Sequence, residues 1–287
     1  MVRDFALVAI VALMFLAGLR ATAGSILAAL RNTSLIARAV IVNVIVMPLL
    51  AVAIVRAFSL AQPIAIGVVL MALAPGVPFL TRSAGTQKGG NQPFAITLSL
   101  VLPAISVVTL PLWVGILAPA IVGLHMPVGR SVATILAAQL LPLLAGIAIG
   151  RRSERLRTAL VGPVAIVSVV ALVAVAALIA APGVKALASL FGTRGLSAIL
   201  LLEVLGLAIG WWLGGPGSDT RHTLAIATVL RNVGLAAALA ATVFPDTGVI
   251  AAVMAFLIIQ LLVSTIAGAF FSRGSAAALP PAARPAH

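Results

Sequence analysis

The stretch Thr228-Val229-Leu230-Arg231-Asn232-Val233-Gly234-Leu235-Ala236-Ala237-Ala238-Leu239 puts a cation and an amide in the middle of an apolar span running from Thr223 to Phe244. At about 1.5 Å per residue, Arg231 lies roughly 12 Å along such a helix, inside a hydrocarbon layer about 30 Å thick. A cation at that depth costs from about 2.5 to more than 10 kcal/mol. An arginine in that position faces protein or a wet cavity, or else its stem carries the charge out to the headgroups. The first alternative makes Arg231 the leading functional residue of the chain.

The surrounding composition fits a membrane setting. Hydrophobic residues make up 63% of the 287 residues, charged residues only 8%, and the mean hydropathy is +1.28. Runs long enough to span a bilayer follow one another, without the polar–apolar alternation of an outer-membrane barrel. The expected class is therefore an all-α polytopic membrane protein with about nine transmembrane helices. The expected spans are Phe5–Ala23, Leu35–Phe58, Pro63–Gln87, Pro93–Leu117, Ser131–Gly150, Thr158–Ala181, Leu196–Leu213, Thr223–Phe244 and Val249–Phe271.

Arg20 interrupts the small-residue site that would make the first span a cleaved signal peptide, so that span is kept as a helix. A net charge of +13 invites a nucleic-acid reading, but the basic residues sit in short loops without interleaved aromatics, and membrane topology explains them better. Arg151, Arg152, Arg155 and Arg157 weigh most in that bias. They place the N-terminus outside and the C-terminus in the cytoplasm, in the cell's inner (plasma) membrane. The tail 274–287, rich in Ala and Pro, is expected to be disordered and cytoplasmic. Cysteine is absent, which removes disulfides and thiolate chemistry. The histidines show no metal-site spacing, and no His/Glu pair, Asp pair or Ser-with-base set suggests an enzyme; neither metal nor cofactor is expected.

The third span is interrupted by Pro75-Gly76-Val77-Pro78, followed by Thr81 and Arg82. Two prolines each remove a backbone donor and Gly76 accepts unusual dihedrals, so the helix should break there. Backbone freed at membrane depth must face protein or water, and a half-helix N-terminus suits an anion. Breaks in corresponding places of two halves point to a transporter site, which suggests an inverted repeat in which the third and eighth spans are the two broken, crossing helices. Glu203, surrounded by Leu200, Leu201, Leu202, Val204 and Leu205, is the one acid deep in a span. It should be protonated or partnered by a cation, and Arg231 is the one candidate within a span. Asn43 and Gln260 are further amides in the spans.

These residues resemble a known family. Asn232-Val233-Gly234-Leu235-Ala236-Ala237-Ala238-Leu239 is similar to the Asn-Ser-Gly-Leu-Ala-Ala-Ala-Leu run of the bile acid:sodium symporter family, and Ala74-Pro75-Gly76 to its other helix break. Met14-Phe15-Leu16-Ala17-Gly18-Leu19 resembles the family's Met-Phe-Gly-Met-Gly-Leu, and Asn43 falls where the family carries a Gln before Met47-Pro48. The resemblance implies a bacterial member, lacking the first of ten helices. Spans within 35–117 and 196–271 would form a core, and spans within 5–23 and 131–181 a panel that moves against it, the whole transporter domain covering residues 1–273. It also implies carriage of organic anions with sodium.

The departures from the family pattern fall on the sodium ligands. A sodium-binding Glu of the family is Ala227 here, a Gln is Arg231, and a Ser-Asn pair falls on Leu80 and Thr81. A hard cation needs several oxygen ligands, preferably with a carboxylate, and a guanidinium repels it. The expectation is a secondary transporter of a small organic anion (bile acid-like or a carboxylate) that does not use the family's sodium sites. Arg231, Asn232, Thr81, Pro75, Gly76, Pro78, Asn43 and Gln260 would bind substrate; Glu203 and Arg231 would couple it, with a proton as an allowed partner. The alternatives are an efflux permease of the related auxin-carrier type or a non-transporting membrane scaffold.

Overall fold

The computed structural model describes residues 2–21, 24, 32–76, 89–122, 140–190, 192–244 and 248–277. The helices are α1 (Val2–Arg20), α2 (Thr33–Ala57), α3 (Gln62–Leu73), α4 (Gln92–Val122), α5 (Leu141–Arg152), α6 (Glu154–Leu190), α7 (Gly195–Leu213), α8 (Ser218–Val229), α9 (Val233–Val243) and α10 (Val249–Ala277). Among the described residues the one departure towards extended pairing is an isolated antiparallel bridge between Pro75 and Arg231. Thr33–Ala57, Gly195–Leu213 and Val249–Arg273 are long and apolar enough to cross a membrane. Gln92–Ser106 and Val108–Leu117, bent by 43°, pass that test together. Ile116, Ile166 and Phe270 are 64%, 64% and 74% exposed, which places lipid rather than water around these helices. The chain is an all-α membrane protein.

Several helix boundaries differ from expectation, those of α6 and α10 most. α6 begins at Glu154, where the Ser153 hydroxyl accepts from the Leu156 N–H at 3.2 Å, and it runs through Pro182 to Leu190 rather than stopping at Ala181. α10 continues through Ala277, so the first residues of the expected tail are helical; residues 278–287 lie outside the described residues. At the end of α7, Trp212 is exposed. Trp211 instead packs 4.9 Å from His222, whose ring stacks on Phe271 at 4.3 Å. His222 is buried in α8, and its Nδ1 lies 2.9 Å from the Gly89 carbonyl.

α1 packs along α5 and α6, and α7 along α8. The first crossing is closed by a pair of glycines: a methyl at Gly18 would run into the Leu143 carbonyl, and one at Gly146 into the Phe15 carbonyl. Without a hydrophobic drive between helices in lipid, the van der Waals packing that such close backbone approach allows is one of the sources of their association. α10 lies against α3, where Gly67 meets Ala252.

The irregular part of α2 follows from one proline. Val42–Val46 form a π-helical turn, in which the Met47 N–H donates to the Val42 carbonyl instead of that of Asn43. Pro48 has no N–H to offer, so neither Asn43 nor Val44 receives the donor that an α-helix would supply. The indole Nε1–H of Trp113 on α4 takes the Val44 carbonyl at 2.7 Å. The Asn43 carbonyl is left pointing towards the break that faces it.

Candidate functional site

Both expected interruptions are present, and they meet. α3 ends at Leu73, after which Ala74 (φ −108°, ψ 69°), Pro75 and Gly76 (φ +86°) leave the helical path. Gly76 is required twice over: its dihedral is left-handed, and a Cβ there would lie 2.9 Å from Leu102 Cβ and 2.8 Å from Pro103 Cδ. On the other side α8 ends at Val229 and α9 begins at Val233. Asn232 N–H donates to the Ala74 carbonyl at 2.8 Å, closing the Pro75–Arg231 bridge. Each break thereby supplies part of what the other lost, which is how non-helical backbone survives inside a membrane protein.

Gln260 on α10 completes the junction. Its Oε1 accepts from the Arg231 N–H at 3.1 Å and its Nε2 donates to the Arg231 carbonyl at 3.5 Å. The amide thus acts as a short strand beside Arg231. Asn232, expected among the substrate ligands, caps α9: its Oδ1 accepts from Leu235 N–H at 3.1 Å and its carbonyl from Ala236 N–H at 3.1 Å. The Val233 N–H goes to the Arg231 carbonyl at 3.0 Å. The N-terminus of α9 therefore has its Val233, Leu235 and Ala236 donors already engaged, and the charge it leaves available to an anion is that of the guanidinium; the half-helix after the break in the third span, which the sequence offers as an anion site, lies outside the described residues.

Arg231 is 1% exposed and does not reach the surface. Its Nη1 donates to two carbonyls, of Asn43 and of Ala72, at 3.4 Å each. The first was released by the π-turn; the second belongs to the last turn of α3, where carbonyls lack intrahelical donors and the dipole favours a cation. Nε and Nη2 have no partner. Glu203 on α7 is fully buried, and neither of its carboxylate oxygens has a hydrogen-bond partner. The two side chains interact through their charges without closing an ion pair, unlike Arg157 and Glu154 at the start of α6. Asn43, 0% exposed, donates Nδ2 to the Ala39 carbonyl at 2.9 Å and leaves Oδ1 unpartnered.

The structure thus brings together Asn43, Pro75, Gly76, Arg231, Asn232 and Gln260, with Glu203 alongside, while Pro78 and Thr81 lie outside the described residues. The Ala72 and Asn43 carbonyls were missed by sequence reasoning, since neither has a side-chain signal; Pro48 was the one available hint. No cluster of His, Cys, Asp or Glu able to hold a metal occurs among the described residues. Ala227 is 1% exposed and packs in an apolar cluster with Leu98, Leu102, Leu224 and Leu230. It offers a methyl group, which is no ligand for a hard cation, and a guanidinium lies one turn further along the chain.

The model of the sodium bile acid symporter family matches residues 7–190 of the 287. The chain belongs to this family. As a member of the sodium bile acid symporter family it is a multi-pass membrane transporter of a small molecule and not an enzyme. No curated protein matches the chain. The family match ends before α7, so Glu203, Arg231 and Gln260 lie beyond the matched residues, and their roles rest on the geometry above.

Proposed function

We propose that the protein is a secondary transporter of a small organic anion that works by alternating access without the family's sodium sites, and that Arg231 is the fixed positive charge that receives the anion. The observation carrying this reading is a buried guanidinium, held at the meeting of two helix breaks by its backbone and by Nη1, whose Nε and Nη2 are unpartnered. Arginine stays charged in proteins, and the Nε/Nη2 edge carries two parallel N–H bonds matched to a carboxylate. Ala227 and Arg231 argue against a bound sodium ion, as the donor set above indicates.

In this reading the about nine spans form the inverted repeat expected from the sequence, and α1, α5 and α6 move against the helices that hold the breaks. The membrane is the plasma membrane, with the C-terminus cytoplasmic. Pro75, Gly76, Asn232 and Gln260 position Arg231 rather than touch substrate. Glu203 balances Arg231 when the site is empty, so a monoanion arrives with one positive equivalent, which a proton on Glu203 would supply.

The test is uptake of radiolabelled small monocarboxylates into proteoliposomes of the purified chain, in sodium and in choline buffers. Flux should be the same in both and fall at least tenfold in Arg231→Gln. Flux stimulated by sodium would refute the reading, as would flux indifferent to Arg231→Gln.

A further inference from the structure

Among the described residues five buried side-chain atoms have no hydrogen-bond partner, and all belong to Asn43, Glu203 and Arg231. Buried polar groups are almost always satisfied, so a concentration of exceptions on three residues that converge on one junction calls for an explanation. The five atoms divide by type. Nε and Nη2 of Arg231 are donors sharing one edge of the guanidinium. Asn43 Oδ1 and the Glu203 carboxylate oxygens are acceptors. The Asn43 orientation is fixed by its Nδ2 bond to the Ala39 carbonyl at 2.9 Å, since a flipped amide would set oxygen against oxygen.

We propose that the ligand of this site is a small amino carboxylate, its carboxylate on the Nε/Nη2 edge of Arg231 and its ammonium on Glu203 and Asn43. The proposal rests on the transporter reading and replaces the proton on Glu203 by a cationic group that the ligand brings itself. An ammonium carries three N–H donors, matching the three orphaned oxygens, and a carboxylate accepts the two parallel bonds of the guanidinium edge. A proton on Glu203 would meet only part of the demand, because one O–H serves a single acceptor and brings nothing to the two orphaned N–H donors of Arg231.

Charge points the same way. Arg231 and Glu203 together are neutral, and in a buried site a plain monoanion would leave one uncompensated negative charge where desolvation is most costly. A zwitterion leaves the sum at zero and pairs both charges. The distance between the ligand's two ends is then set by the gap between the carboxylate of α7 and the guanidinium at the break.

Binding of radiolabelled glycine, β-alanine and γ-aminobutyrate to the full chain in lipid nanodiscs, each against its des-amino counterpart (acetate, propionate, butyrate), tests this. At least one amino carboxylate should bind ten or more times tighter than its counterpart. Asn43→Leu and Glu203→Gln should bring that ratio towards one, and Arg231→Gln should abolish both kinds of binding. Should the des-amino acids bind as well as or better than the amino acids, in a manner still lost in Arg231→Gln, the inference falls while the anion-transporter reading stands. Absence of any Arg231-dependent binding in either series overturns both. The wild-type ratio decides by itself if a variant fails to fold.

Discussion

Pro48 and Trp113 should be energetically coupled although they lie on different helices. Pro48 withholds a backbone donor from the Val44 carbonyl, and the Trp113 indole replaces it at 2.7 Å. Trp113→Phe in the native background removes that donor and leaves a carbonyl in an apolar setting, a loss of about 1–3 kcal/mol on top of the smaller ring's lost packing. In a Pro48→Ala background the alanine N–H is available to the Val44 carbonyl, the helix ladder can close, and Trp113→Phe should cost the packing part alone. Interhelical hydrogen bonds in membrane proteins couple by about 0.6 kcal/mol on average and up to about 1.7. A short bond to a carbonyl without its helical donor belongs near the top of that range, so the expected coupling is about 1–1.7 kcal/mol. The assay is a double-mutant cycle on unfolding in mixed micelles, with all four proteins carried through the same titration. Additive effects, with a coupling below about 0.3 kcal/mol, would refute the derivation of the π-turn from the missing donor. Pro48→Ala alone should also weaken anion uptake, because a closed ladder takes back the Asn43 carbonyl that Arg231 Nη1 uses.

Gln260→Leu should destabilise the protein by about 1–3 kcal/mol in the same unfolding assay, since it strips the buried Arg231 N–H of its 3.1 Å acceptor; the 3.5 Å contact on the other side adds little. It should also reduce uptake by misplacing the guanidinium. Gly146→Val should separate α1 from α5, because a Cβ at 146 has no room beside the Phe15 carbonyl and the Gly18 Cα, 3.0 Å away; a loss of about 1–3 kcal/mol or failure to accumulate in the membrane is expected. Gly162→Val on α6, where a Cβ meets nothing within 4 Å, is the matched control and should change the unfolding midpoint little.

What the sequence made legible is what single residues announce. A cation in an apolar span, a lone acid in another and a Pro-Gly-x-Pro run in a third each violate a local rule strongly enough to be read in one dimension, and Arg231, Glu203 and the break at Pro75 were found that way. Asn232, from the family-like motif, and Gln260, as a polar residue within a span, stand among the expected ligands. The structure shows that what they bond is the backbone of the breaks themselves. For Asn232 the cap was readable, since an Asn directly before a helical restart is the usual N-cap. For Gln260 it was not, because its partner is 29 residues away and is a main-chain group with no residue signature. The carbonyls of Asn43 and Ala72 were hidden for the same reason: every residue has a carbonyl, and only the hydrogen-bond count around Pro48 and at the end of α3 reveals which are unpartnered.

That distribution has a functional consequence. The backbone of the junction is bonded from both sides, through Asn232 to Ala74 and through Arg231 to Gln260, so the breaks are held in place without a ligand. The side chains facing the junction are left with unmet donors and acceptors that would cost less if Glu203 and Arg231 were simply paired. A transporter needs a ligand to favour one arrangement of its helices over another, and it can do so only by as much as it binds the two differently. Under the proposed site, the orphaned atoms contributed by α2, α7 and the α8–α9 break would supply such a difference, being satisfied together only when those elements and the ligand are in register. In the proposed cycle the unpaired charges of the empty site set how strongly substrate selects the occluded state, and a direct Glu203–Arg231 pair would remove that selectivity.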